Sequence, residues 1–187
     1  DDTREGGSWV DVPAPAEAFG GDARVAAKHG MRFKLSRDSE GLLLLADVTD
    51  DFLYPSRAEK DTGKLVDGLE LFLDGRAHRR VGTPEYEEGV HQIMLYPGTP
   101  GEAPAFYQAK EGVELEVSAE ATGRGYLLRA RVPYSSFVPR GVEPRRIGFD
   151  LAVNTANRKG ERIAQYVFAG GPDNWRNASN FREVWLV

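Results

Sequence analysis

Cysteine is absent from the 187-residue sequence, which removes disulfide frameworks, thiol nucleophiles and every cysteine-based metal site. Histidine is scarce: His29, His78 and His91 are scattered, with none of the spacings of a zinc site or a catalytic triad. Long apolar runs are missing too. The longest, Leu42 to Ala46, is far too short to cross a bilayer, so no membrane span is expected. Positive charge is in deficit, with 24 Lys and Arg against 29 Asp and Glu, a net charge of −5. No basic run is interleaved with exposed aromatics of the kind that tracks a phosphate backbone, so no nucleic-acid partner is expected. The densest basic cluster, Arg76 with Arg79 and Arg80, reads as a solvated loop. The first residues, Asp1-Asp2-Thr3-Arg4-Glu5, lack the charged-then-apolar plan of a signal peptide, and any export signal is expected to have been removed.

What is abundant is turn chemistry. Gly 21 and Pro 11 together make 32 of 187 residues, or 17%, against an average of about 12%, which favours many turns over long helices. The length is that of one domain, residues 1–187, with 1–30 as a lead-in segment, and no internal repeat is visible. Within that lead-in, Ser8 to Val12 reads as a short first strand stopped by Pro13. Residues 22–30 read either as a short helix capped by Asp22 or as the approach to a strand over Met31 to Leu35, which we prefer.

The central strand is Asp67-Gly68-Leu69-Glu70-Leu71-Phe72-Leu73-Asp74. Its period of two places three leucines on one face and Glu70, Phe72 and Asp74 on the other, a face either open to water or lined for a ligand. Turn residues at 37–41 join the strand at Met31 to a nearly continuous apolar strand, Leu42 to Val48, as a hairpin. Further strands are expected at Gly89 to Tyr96, Ala105 to Lys110, Val113 to Ser118, Gly125 to Val132, Ile147 to Val153, Ile163 to Phe168 and Val184 to Val187, with one short turn near Tyr134 to Val138. About ten strands joined by turns describe an all-β antiparallel sandwich, of immunoglobulin-like or jelly-roll-like type.

Five short motifs in order resemble family 9 carbohydrate-binding modules. They are Leu43-Leu44-Leu45-Ala46-Asp47-Val48-Thr49-Asp50-Asp51; the central strand; Gly125-Tyr126 with Ala130-Arg131-Val132-Pro133-Tyr134; Ile147-Gly148-Phe149-Asp150-Leu151-Ala152-Val153-Asn154; and Asn174-Trp175-Arg176-Asn177 before Phe181 and Trp185-Leu186. The resemblance runs from about residue 30 to the end. It implies a non-catalytic β-sandwich that holds sugar chain ends between aromatic rings, with calcium as a structural ion. It also implies a secreted setting, extracellular or periplasmic, and a place appended to a glycoside hydrolase or another enzyme domain.

Carried over by position, the resemblance makes Trp175 a stacking ring and Glu70 a hydroxyl acceptor. His91 or Gln92 supplies a further polar contact, Asn154 and Asn174 stand at the rim, and Arg176 lies beside them. An indole suits the C–H face of a pyranose, and Asn and Arg groups suit its hydroxyls. One departure stands out. Sugar-binding members place a second aromatic just before the central strand, where Lys64-Leu65-Val66 offers none, leaving Phe52 or Tyr54 of the preceding loop as candidates for the opposing ring. For calcium, Asp50, Asp51, Asp67 and Asp74 are the candidate ligands, since hard oxygens gather where acidic strand ends meet.

Three rival readings stand beside this one. A sandwich that has lost its sugar site would serve as an interaction scaffold. A haem-binding relative would need Met31 with His29 or His91, because His91 and Met94 point to opposite faces of one strand. Glycoside hydrolysis would need paired carboxylates drawn from Glu70, Asp74 and Glu114. Trp9 and Trp185 are expected to pack in the core, unlike Trp175 in its polar loop.

Overall fold

The computed structural model describes residues 8–12, 29–54, 67–77, 80–98, 103, 105–108 and 112–186. The readings at residues 22–28, Lys64-Leu65-Val66, His78 and Arg79 lie outside them. Two antiparallel sheets face each other. The first has the order β1-β2-β3-β8-β7, from β1 (Val10–Val12), β2 (Gly30–Arg37), β3 (Gly41–Thr49), β7 (Glu116–Thr122) and β8 (Gly125–Pro133). The second has the order β10-β9-β4-β5-β6, from β4 (Gly68–Asp74), β5 (Val90–Tyr96), β6 (Ala105–Gln108), β9 (Arg146–Ala156) and β10 (Arg162–Val167), and β11 (Arg182–Trp185) also pairs with β9. The expected sandwich is the observed one.

Alternation explains which faces meet. Phe33, Leu42, Leu44, Ala46, Val48, Tyr126, Leu128, Ala130 and Val132 of the first sheet bury against Leu69, Leu71, Leu73, Ile93, Leu95, Ile147, Phe149, Leu151 and Val153 of the second. Phe33 sits 5.6 Å from Phe149 and 5.0 Å edge-on from Phe168, tying the sheets together. Gly125 opens β8 at φ +146, where a β-carbon would collide with the carbonyl of Val48, so the hairpin edge tolerates no side chain there.

The outer faces differ. That of the first sheet carries a charge ladder, Arg32 on Asp47 at 2.7 Å and Arg131 on Asp38 and Glu40 at 3.1 and 2.7 Å. On the second sheet, every residue of β4 is buried, including Glu70, Phe72 and Asp74. Neither an open outer face nor an incidental Phe fits this: Phe72, Val90 and Ala152 pack beneath Ala178 and Phe181 of the C-terminal segment, with Tyr86 alongside.

Three further expectations change. The strand expected at Val113 begins at Glu116, because the Ser136 hydroxyl takes both the N–H and the C=O of Glu114 and holds it off the ladder. Arg76 is buried rather than solvated, gripping Asp74 through Nε and Nη2 at 2.9 and 2.8 Å. Trp185 is 56% exposed, because it pairs with Arg146, an outward-facing position of β9, while Trp9 is half-buried beneath Arg32 and Lys34.

Candidate functional site

Glu70 is the centre of a polar network on the outer face of the second sheet. Its Oε1 accepts from Asn154 Nδ2 at 2.8 Å and Gln165 Nε2 at 2.6 Å, and its Oε2 from Gln92 Nε2 at 2.7 Å. Four adjacent strands supply these groups: β4, β5, β9 and β10. The register makes the convergence unavoidable, since Asn154 pairs with both Gln165 and Gly68, and Phe72, two residues beyond Glu70, pairs with Gln92. Glu70 is 3% exposed, Asn154 0% and Gln165 7%, leaving Gln92 as the half-buried edge. Asn154 Oδ1 is buried without a hydrogen-bond partner among the described residues, an unsatisfied acceptor.

The residues that flank this network come from two loops. On one side, Asp150 lies four residues before Asn154 on the same face of β9, about 13 Å along the strand. Its carboxylate gathers the loop after β10: Ala169 N–H donates to Oδ1 at 3.0 Å, Gly170 N–H to Oδ2 at 2.6 Å, and Asn174 Nδ2 to Oδ2 at 2.8 Å. Asn174 Oδ1 in turn accepts from Gly171 N–H at 3.1 Å. Burial pushes the Asp150 carboxyl above its usual range, against the pull of Asn174 and the backbone donors. A β-carbon at Gly170 would collide with the Asn174 amide oxygen and come within 2.7 Å of Asp150 Oδ2. This brace presents Trp175, 57% exposed, with the Arg176 guanidinium 5.3 Å from its ring.

On the other side stands Tyr54. It packs with Met94, Tyr96 and Ala156 and lies against the turn at Gly160, where a β-carbon would meet its ring at 2.6 Å. Phe52 nearby lies under Arg158, 4.8 Å from its guanidinium carbon. On the same face, beside Phe181, the Tyr86 hydroxyl is pushed above its usual range by burial, then by the charges of Glu70 and Asp74.

The residues named from sequence therefore separate. Glu70, Gln92 and Asn154 are brought together. Asn154 and Asn174 are buried at 0% and 2%, so neither stands at a rim: one is in the network, the other is the loop's internal brace. His91 pairs with Leu73 on the core-facing side of β5, opposite to Gln92 and Met94. Gln165 was not anticipated, although a lone amide in the apolar stretch Ile163 to Phe168 was a visible signal. Nor was Asp150 as an anchor.

The acidic residues form a second cluster at the far end of β4 from Asp74. Asp50 and Asp67 are 5% and 1% exposed, and His29 Nε2 lies 3.5 Å from Asp50 Oδ1 and 3.4 Å from Asp51 Oδ1. Asp67 accepts from the backbone N–H groups of Tyr54 and Ala156. Burial, then the charge of Asp50, pushes the Asp67 carboxyl up to about 7. Asp50 Oδ2 is buried without a hydrogen-bond partner among the described residues. Asp74 does not join: it lies seven residues from Asp67, about 23 Å along the strand, and is neutralised by Arg76. The carboxylates considered for hydrolysis do not pair either, since Glu70 is held by three amides, Asp74 by Arg76, and Glu114 is exposed.

Comparison with known proteins identifies the family. The carbohydrate family 9 binding domain-like family matches residues 8–187. An endo-1,4-beta-xylanase A of Thermotoga neapolitana is 29% identical over 158 residues, 80% of this chain and 13% of that protein. The xylanase A of Thermoanaerobacterium saccharolyticum is 27% identical over 155 residues, 82% of this chain and 12% of that protein. The chain thus spans about an eighth of the length of these relatives. A family 9 module from Caldicellulosiruptor kristjanssonii in complex with cellotriose superposes with a TM-score of 0.74 at 20% identity, over 99% of this chain and 85% of that one. A family 9 module from the same organism in complex with glucose gives 0.72 at 21% identity, over 99% and 86%. The chain belongs to the carbohydrate family 9 binding domain-like family and is a non-catalytic carbohydrate-binding module.

Proposed function

We propose that the module holds the end of a β-linked glucan or xylan chain, with one pyranose face stacked on Trp175 and its hydroxyls met by the Glu70 network. The observation that carries this reading is the exposure of Trp175 on a loop braced internally by Asp150 and Asn174. An exposed indole on a fixed support loses little entropy on binding, and it gives a sugar's C–H face an apolar plate. Glu70 is oriented by three amides, so its remaining lone pairs and Asn154 Oδ1 are set to accept hydroxyl protons. Tyr54, packed with Met94, Tyr96 and Ala156, is the ring we assign to oppose Trp175. The bound proteins of known structure carry cellotriose and glucose, and the xylanase relatives favour a polysaccharide of the plant cell wall.

The same reading makes the module an extracellular one, appended to a polysaccharide-degrading enzyme. A calcium ion fits the acidic cluster: Asp50 and Asp51 offer hard oxygens, and the orphaned buried Asp50 Oδ2 beside Asp67 is an acceptor that a cation would satisfy. It would supply the positive charge that holds Thr49 to Tyr54 against Asp67, leaving Tyr54 in place.

Screening glucose, cellotriose, xylan and unrelated glycans against the module, with calcium present and Trp fluorescence as readout, tests the proposal. We expect a saturable response to cellotriose that disappears in Trp175→Ala. Silence across the screen would favour an interaction scaffold without a sugar site.

A further inference from the structure

Only three large hydrophobic side chains among the described residues are exposed, Val10 at 37%, Trp175 at 57% and Trp185 at 56%. Trp175 belongs to the site above, and Trp185 has no part in it. Cross-strand pairing with Arg146 puts Trp185 on the outer face of the second sheet, the face that carries the Glu70 network. Arg146 and Asn154 are eight residues apart on β9, about 26 Å, and the Asp150 anchor of the Trp175 loop lies between them.

The surroundings of Trp185 repeat those of Trp175. A guanidinium stands by each ring, Arg146 at 5.8 Å and Arg176 at 5.3 Å. Arg146 is held in turn by Glu183, with Nη1 donating to Oε2 at 2.8 Å, and its side chain is only 14% exposed, so the ring's polar margin is fixed rather than loosely solvated. Glu183 keeps a second carboxylate oxygen for a hydroxyl donor, and its side chain is 43% exposed.

We infer that Trp185, with Arg146 and Glu183, is a second carbohydrate-contacting plate that stacks a pyranose of the polysaccharide whose end is held at Trp175. The occupant is a sugar rather than a protein because the exposed apolar area is one ring, with no other exposed large hydrophobic on the strand. A protein interface needs a contiguous patch, whereas a pyranose face needs one plate with a donor and an acceptor at its margin. Sharing a face with the first site lets one polysaccharide engage both, and the second contact then acts at high effective concentration. This inference rests on the sugar-binding reading.

The experiment follows the three indole N–H signals by NMR, assigned from single Trp variants, during titration with glucose, cellotriose and soluble xylan. The expected result is that cellotriose moves the Trp175 signal, that saturating soluble xylan moves both the Trp175 and the Trp185 signals, and that in Trp175→Ala the Trp185 signal still moves with xylan. Trp185→Ala should leave glucose affinity unchanged and weaken retention on the polymer by on the order of tenfold. A Trp185 signal that stays fixed while xylan saturates Trp175, or unchanged polymer retention in Trp185→Ala, would overturn the second plate and leave the first site intact. If neither indole responds to any sugar, the sugar-binding reading fails with it.

Discussion

At the scale of single residues, the same acidic side chains carry different chemistry according to what faces them. Asp74 and Arg76 form a closed buried pair, so Asp74→Ala leaves a guanidinium uncompensated inside the protein. We expect a loss of about 3–5 kcal/mol in urea unfolding with cellotriose affinity retained, because Asp74 is bonded to Arg76 and takes no part in the Glu70 network. Asp67 behaves in the opposite way. Its folded-state value of about 7 lies above the ordinary 3.8, so its stabilising contribution is full below the lower value and is lost as pH rises through the higher one. In chelator, the melting temperature should therefore fall between pH 5 and pH 8, by an amount corresponding to about 2–3 kcal/mol. Asp67→Asn should flatten the slope, and added calcium should reduce it by favouring the carboxylate. A melting curve identical in chelator and in calcium at pH 8 would exclude the ion.

At the scale of elements, the loop after β10 determines where Trp175 stands. Asp150 and Asn174 hold it through short contacts that close only over a glycine. Gly170→Ala should push those groups apart and lower sugar affinity by about tenfold or more, while the sandwich melts within a few degrees of the parent. Calorimetric titration beside thermal unfolding separates the two effects. Here the sequence was legible in part. Alternation alone placed Leu69, Leu71 and Leu73 inward and gave the hairpin of β2 and β3, because each strand's core face is written in its own residues. What covers the other face of β4 depends on a segment more than a hundred residues away, Ala178 and Phe181 on Phe72, which no local period records. Trp185 was misplaced for the same reason: its exposure is set by register with Arg146, not by its apolar neighbours.

At the scale of the whole molecule, the sandwich divides its work between faces and ends. The inner faces supply stability, the outer face of the second sheet gathers four strands around Glu70, and the acidic cluster ties the end of β3 to the start of β4 beside Tyr54. Family membership was legible because five motifs kept their order. The network was only partly so, since Gln92 and Asn154 were named but Gln165 emerges only when β10 is laid beside β9. Among the described residues no helix is long and apolar enough to cross a membrane.

The central claim is that an exposed, braced indole above a carboxylate and amide network binds a sugar. Calorimetric titration of cellotriose into the module and into Trp175→Ala, each with its melting temperature, tests it most directly. The account predicts saturable binding in the parent, none detectable in the variant, and melting temperatures within about 2 °C of each other, because a side chain more than half exposed contributes little to the fold. Equal affinity in both proteins, or a variant that loses stability along with binding, would contradict it.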